Sequence, residues 1–144
     1  MKYKLKEANF NKETGVSYTI IQTPFGIFKG TAKLHHKEKN PSSFVGCEYA
    51  ERRAIIKGLK EEKKLLSAQL KIMKEYYHLI SNMKNKNPKG TEISKAKRYI
   101  YEISRKINLC KKNIIEIEKS IHKSDETRLE ILKKIHNKSN NLKN

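Results

Sequence analysis

An isoleucine-rich heptad repeat in the second half of the chain limits what it can fold into. Apolar residues recur every seven positions from Ile93 to Ile135, and a second apolar set follows three positions behind the first. The repeat is interrupted at Ser124 and Arg128, but no proline or glycine breaks it. This pattern predicts one helix of about 45 residues, which would be roughly 65 Å long. Such a helix is not stable alone in water, so its apolar side requires another helix.

A second long helix is predicted upstream, over residues 44–85. Two apolar lines at heptad spacing run along it, one through Tyr49 and Tyr77 and the other through Leu59 and Ile80. A further apolar line, which we call the outer stripe, consists of Leu65, Ile72, Tyr76, Leu79 and Met83. The second half of this helix is therefore apolar on two sides. One side suits the partner helix in the same chain and the other suits a second subunit.

The two helices are expected to lie antiparallel. The connection over 85–90, Asn-Lys-Asn-Pro-Lys-Gly, is too short for any other arrangement, and Thr91 is the expected cap of the second helix. With the turn centred on its proline, residue i should face roughly residue 176 − i, which places Leu66 beside Cys110. Cys47 then lies too far from Cys110 for a disulfide bond.

The first forty residues predict a small antiparallel sheet. Residues 3–9 and 16–23 alternate or are rich in β-branched side chains, and 27–34 returns as a third strand after a Pro-Phe-Gly turn. A linker over 35–43 leads to the first long helix. Residues 127–137 extend past the start of that helix, and we expect them to cover the apolar face of the sheet.

The predicted fold is therefore α+β, a small N-terminal antiparallel β-meander followed by a long, coiled-coil-like antiparallel helical hairpin. We expect a single domain that forms a homo-oligomer. Gly58, inside the first helix, indicates a close approach by a neighbouring backbone. The predicted segments are a meander and linker over 1–40, helices over 44–85 and 91–137, and a frayed tail over 138–144.

Composition and charge narrow the function. The formal net charge of +18 attracts anions, but the excess is spread evenly, with +5 over 1–45, +5 over 46–87 and +6 over 91–138. His35, His36 and Cys47 lack zinc-site spacing, so we predict no metal and no cofactor. No nucleophile, base and acid can be assembled on this topology, which argues against an enzyme. The charged N-terminus and the absence of a long apolar run predict a cytoplasmic protein.

Two groups of side chains are candidate ligand-binding sites. The distal tyrosine cluster lies in the distal third of the hairpin, where tyrosine rings can stack on a base and arginines can bind phosphate. These tyrosines can equally form the rim of a helix–helix interface. The cluster comprises Tyr76, Tyr77, Arg98, Tyr99, Tyr101 and Arg105.

The second candidate site, the basal arginine cluster, lies at the start of the first helix. Facing arginines repel one another unless an anion or an acidic partner joins them. The cluster therefore indicates either a site for a small, doubly charged anion or a salt-bridge network with neighbouring acidic residues. Its members are Phe44, Tyr49, Arg52, Arg53 and Arg128.

Two segments resemble a known family. TPFGIFKGTAKLH and SSFVGCEYAERRAIIKGLK, followed by two long helices, resemble small phage-encoded proteins of low-G+C Gram-positive hosts, and in particular the first family of Thoeris anti-defence proteins. The resemblance is clearest over residues 9–60. It implies an oligomer of dimers in the infected host's cytoplasm, which binds and sequesters a cyclic nucleotide immune signal without degrading it. The implied ligands are cyclic ADP-ribose isomers and, for some members, cyclic oligonucleotides.

Two other functions stay open from the sequence. A basic coiled-coil protein can bind DNA or RNA through lysine-rich helix faces, although no recognition motif is present and the charge is even. A coiled-coil adaptor that binds only another protein needs no more than the heptad repeats and their flanking charges.

Overall fold

Three strands and two long helices make up the computed structural model, which describes residues 1–33, 43–83 and 90–142. The elements are β1 (Lys4–Asn11), β2 (Val16–Thr23), β3 (Gly26–Lys33), α1 (Ser43–Ser81) and α2 (Gly90–Leu142). This order confirms the predicted α+β fold, a three-stranded antiparallel sheet followed by two long helices. The linker over 35–43 and the connection over 85–90 lie outside the described residues, apart from Ser43 and Gly90.

The sheet is a meander in the order β1-β2-β3, with antiparallel pairing throughout. Its two turns depend on glycines with positive φ, Gly15 at 69° and Gly26 at 135°. The Gly15 N–H donates to the Asn11 carbonyl at 2.8 Å and closes the first turn. In the second turn, the Phe25 N–H donates to the Thr23 hydroxyl at 3.0 Å. The turn chemistry therefore sets the register of both hairpins.

Small residues let α1 lie directly on the sheet. Gly46, Ala50, Ala54 and Gly58 recur at intervals of four along α1, so they form one smooth stripe. Gly30 of β3 packs against this stripe so closely that a Cβ there would lie 2.6 Å from Ala54 N and 2.9 Å from Ala50 C. The buried side of β2 that faces the same way consists of Ser17, Thr19, Ile21 and Thr23.

The start of α1 packs on the sheet, whereas the apolar side chains of 127–137, which we expected to cover it, lie mostly outside the described residues. The first four turns of α1 lie on the sheet, and the side chains of α2 that are described after residue 128, such as Leu129 at 47% exposure, are open to solvent. Within α2, Ile121 packs beside the cluster of Ala32, Tyr49 and Ala50. The close contact between α1 and the sheet is made by small residues, which the search for large apolar side chains did not consider.

The surroundings of Gly58 also differ from the predicted close approach of a backbone. A Cβ there would meet the Met1 side chain at 3.1 Å and Thr23 Cγ2 at 3.4 Å, so its neighbours are side chains and not a backbone. Met1 is flexible and can yield, which makes this glycine much less demanding than Gly30.

Contacts divide the chain into two compact units, Met1–Gly58 with Ile115–Asn144, and Leu59–Ile114. In the second unit the predicted heptad positions form the buried side of the helices. Two opposed pairs give their direction, because Lys97 lies over the Tyr77 ring and the Cys110 thiol lies beside the Glu62 carboxylate. The helices of this unit are thus antiparallel. The buried residues of this unit are Leu59, Ile80, Ala96, Ile103, Ile107, Cys110 and Ile114.

The ends of α2 differ slightly from the predicted bounds. The helix begins at Gly90, so Thr91 lies in its first turn, and it continues past 137 to Leu142. No proline or glycine follows Gly90 to stop it, which explains why residues 138–142 of the predicted tail are helical. In the described part of the chain, no helix is both long and apolar enough to cross a bilayer.

Candidate functional site

The outer stripe of α1 is open to solvent along its whole length. The heptad lines on the other side of the same helix stretch are buried or half-buried, so the helix has one covered and one uncovered apolar side. Soluble proteins rarely leave such a row of large side chains exposed without a partner. The exposed fractions are 47% for Leu65, 64% for Ile72, 45% for Tyr76, 66% for Leu79 and 56% for Met83.

The distal tyrosine cluster is exposed as well, apart from Tyr77. Tyr99 and Tyr101 on α2 are 55% and 69% exposed, and they project about 200° apart because they are two residues apart on one helix. Tyr77 is half-buried and its ring carries Lys97 Nζ at 6.0 Å from its centroid. Tyr76 belongs to the outer stripe. The rings therefore point to different sides of the hairpin, and each open ring needs a further surface to enclose a ligand.

Of the two arginines in the distal tyrosine cluster, Arg98 forms a salt bridge. Arg98 Nε lies 3.2 Å from Glu102 Oε1, one turn along α2, and this pair is largely exposed. An exposed pair of this kind contributes little stability and can be exchanged for a ligand phosphate at low cost. Arg105, two turns after Arg98, is exposed. Both arginines can thus reach an anion that approaches this side of the hairpin.

The structure places the described arginines of the basal arginine cluster, Arg52 and Arg53, in different surroundings. Arg52 Nη2 lies 3.0 Å from Glu48 Oε1, and its guanidinium lies 5.9 Å from the centroid of the Tyr49 ring. Tyr49 itself is buried beside Ala32 and Ala50. For Arg52 the contacts therefore favour the salt-bridge interpretation of this cluster.

Arg53 points to a different place. Its Nη1 donates to the Thr31 carbonyl at 2.7 Å, and Lys57 Nζ donates to the Lys29 carbonyl at 2.6 Å, so both bind the outer side of β3. The side chains of Phe44 and Arg128 lie outside the described residues. Sequence reasoning missed Lys57, although its spacing of four from Arg53 was the available signal.

Two described groups have raised pKa values. A hydrogen bond to the Glu51 carboxylate at 2.5 Å, then burial and the charge of that carboxylate, raise the pKa of Tyr3 to about 12. Burial, followed by the charge of Glu62 and a hydrogen bond to it, raises the pKa of the Cys110 thiol. Both cysteines are free thiols, and Cys110 is protonated and buried at neutral pH.

The described residues hold no group of three His, Cys, Asp or Glu side chains placed to bind a metal ion. No protein-family model matches the chain, and no curated protein or solved structure matches it either.

Proposed function

We propose that this chain forms a homo-oligomer that binds a cyclic nucleotide immune signal and sequesters it without degrading it. The observation that supports this most is the open outer stripe of α1, which carries Tyr76 among its aliphatic side chains. A second copy that covers this stripe would bring its own tyrosines and arginines to the same place. The ligand class comes from the resemblance to Thoeris anti-defence proteins, with cyclic ADP-ribose isomers first and cyclic oligonucleotides second.

The chemistry of the site suits such a ligand. An adenine would stack on an exposed ring such as Tyr99 or Tyr101, and Arg105 would donate to the pyrophosphate. Enclosure between subunits would exclude water and strengthen these contacts. The net charge of +18 would speed the approach of a ligand with two negative charges. Sequestration requires only tight binding, so no catalytic group is needed.

Isothermal titration with a cyclic ADP-ribose isomer tests the proposal. We expect saturable binding, and we expect heat denaturation of the loaded protein to release ligand of unchanged mass. Failure to bind any cyclic nucleotide in a thermal-shift screen, or release of a cleaved product, would overturn it.

A matched pair of variants separates stacking from a structural role. Tyr99→Ala removes the ring, and loss of one base–aromatic stack should raise Kd by roughly 5- to 150-fold without changing oligomer mass. Tyr99→Phe keeps the ring and should bind as the unchanged protein does. The same pair at Tyr101 tests the other face. Unaltered binding by both alanine variants would exclude these rings from the site.

A nucleic-acid-binding function is the second candidate, because the net charge of +18 attracts a polyanion. It predicts affinity for a duplex that falls linearly in log salt and persists at about 200 mM salt. If the protein is instead an adaptor, it should bind neither a cyclic nucleotide nor nucleic acid. It should still form an oligomer, or a complex with another protein, through the outer stripe.

A further inference from the structure

The outer side of β3, which we call the β3 edge, differs from an ordinary sheet edge. β3 is the last strand of the sheet, so this side has no neighbouring strand among the described residues. Arg53 and Lys57 of α1 occupy the carbonyls of Thr31 and Lys29 instead. The spacing fits, because four helical residues rise about 6 Å and two strand residues rise about 6.6 Å. The carbonyls of Thr31 and Lys29 are thus already bound by cationic donors.

No described strand pairs with the N–H groups of the same edge. In an antiparallel pair, a residue either exchanges both ladder hydrogen bonds with its partner or neither. The carbonyls of Lys29 and Thr31 point away from β2, so the N–H groups of these two residues point away as well. The β3 edge therefore offers backbone donors that alternate with side-chain cations.

More positive charge lies on the other face of the sheet. Gly30 and Ala32 face α1 and are buried, so the alternate residues Lys29 and Lys33 project from the opposite face, where both are exposed. Lys29 Nζ lies 4.6 Å from the centroid of the Tyr18 ring. Cations consequently flank the β3 edge on both sides.

Nearby carboxylates are engaged elsewhere. Glu7 accepts a hydrogen bond from the Tyr18 hydroxyl at 2.6 Å, and Glu51 accepts one from Tyr3. Among the described residues, no carboxylate forms a salt bridge with Arg53 or Lys57. Neutral carbonyls are the partners of these two cations, so neither has a carboxylate in salt-bridge contact among the described residues.

We propose that the β3 edge binds a phosphate group. The Thr31 N–H and the remaining guanidinium donors of Arg53 donate to its oxygens, and the ammonium groups of Lys29, Lys33 and Lys57 supply charge. A phosphate suits this arrangement because its several oxygens can accept from separated donors at once. The site lies within the first compact unit, Met1–Gly58 with Ile115–Asn144, and does not depend on the proposed cyclic-nucleotide function.

Amide NMR with inorganic pyrophosphate tests the site in the intact protein. In a TROSY titration at neutral pH, we expect the Thr31 and Lys29 amides and the Arg53 Nε–H to shift together and to saturate. Shifts confined to other residues, or no saturable shift, would overturn the proposal.

A matched pair of double variants tests which charges matter. Lys29→Gln with Lys33→Gln leaves the α1 contacts untouched, so the fold should persist, and pyrophosphate affinity should fall at least tenfold. Lys4→Gln with Lys12→Gln makes the same change in net charge away from the edge and should leave the affinity within about twofold. Equal losses in both double variants would show that general charge, and not the β3 edge, binds the anion.

A second titration, with a single-stranded oligonucleotide, identifies the source of the phosphate. If the β3 edge holds a nucleic-acid strand, the Lys29→Gln and Lys33→Gln double variant should reduce the slope of log K against log salt by about 1.4. An unchanged slope together with lost pyrophosphate binding assigns the edge to a small phosphoester. Retention of both kinds of binding by the edge variant contradicts the proposal.

Discussion

Replacement of Gly30 by alanine should be among the most damaging single changes in this protein. The added Cβ would lie 2.6 Å from Ala54 N and 2.9 Å from Ala50 C, whereas real Cβ contacts essentially never fall under 3.0 Å. Both neighbours are backbone atoms of α1, so no side-chain rotation relieves the clash. The helix must move off the sheet, which also weakens the bonds from Arg53 and Lys57 to β3. Overpacking costs about 1–3 kcal/mol, and two weakened hydrogen bonds bring the expected loss to ~3 kcal/mol or more.

Urea unfolding followed by circular dichroism measures this loss. Gly58→Ala is the matched control, because it adds the same methyl to the same packing layer but meets the flexible Met1 side chain. The control also gains up to about 1 kcal/mol of helix propensity, so its free energy of unfolding should equal or exceed that of the unchanged protein. If Gly30→Ala lost less than about 1 kcal/mol, the direct packing of α1 on β3 would be refuted.

Further predictions concern the remaining contacts. The pKa of Tyr3 is raised from 10.0 to about 12, so its hydrogen bond stabilises the fold fully below pH 10 and this stabilisation is lost as the pH rises through 12. Tyr3→Phe should remove this alkaline dependence from the free energy of unfolding measured against pH. With iodoacetamide at pH 8, mass spectrometry should show Cys110 reacting more slowly than Cys47, because burial keeps Cys110 protonated, and equal rates would contradict this. Gly46→Ala should cost less in a Ser17→Ala background, since the added methyl meets the Ser17 side chain; additive losses would disprove the contact.

The helices and strands were predictable because each has a clear period. Isoleucines at heptad spacing predicted α2, and alternation with a Pro-Phe-Gly turn predicted the strands, whose bounds agree within two residues. The direction of the helical pair followed from the short connection, as Lys97 over Tyr77 shows. These features depend on local patterns, which can be identified in a single sequence.

The cover of the sheet was not predictable from hydrophobic patterns, because glycine and alanine add little to them. Gly46, Ala50, Ala54 and Gly58 stand at intervals of four, and that spacing was the signal to use. Small residues at one face permit close packing of a helix on a sheet, but they do not say which sheet face they meet.

The candidate site was predictable in composition and not in geometry. The sequence places tyrosines and arginines in one region, but helix rotation decides that Tyr99 and Tyr101 project to different sides. Arg52 and Arg53 are adjacent in the sequence and end in different surroundings, one beside Glu48 and the other on β3. Adjacent residues on a helix project about 100° apart, so neighbours in sequence are poor evidence for a shared site.

Native mass spectrometry of the protein in volatile buffer, alone and with a cyclic ADP-ribose isomer, tests the central claim most directly. We predict an assembly whose mass is a multiple of 16.9 kDa and which retains intact ligand. Replacement of Ile72 and Leu79 by serine should break it into single chains that no longer hold ligand, because both side chains belong to the outer stripe. A stable single chain of 16.9 kDa from the unchanged protein would contradict the account.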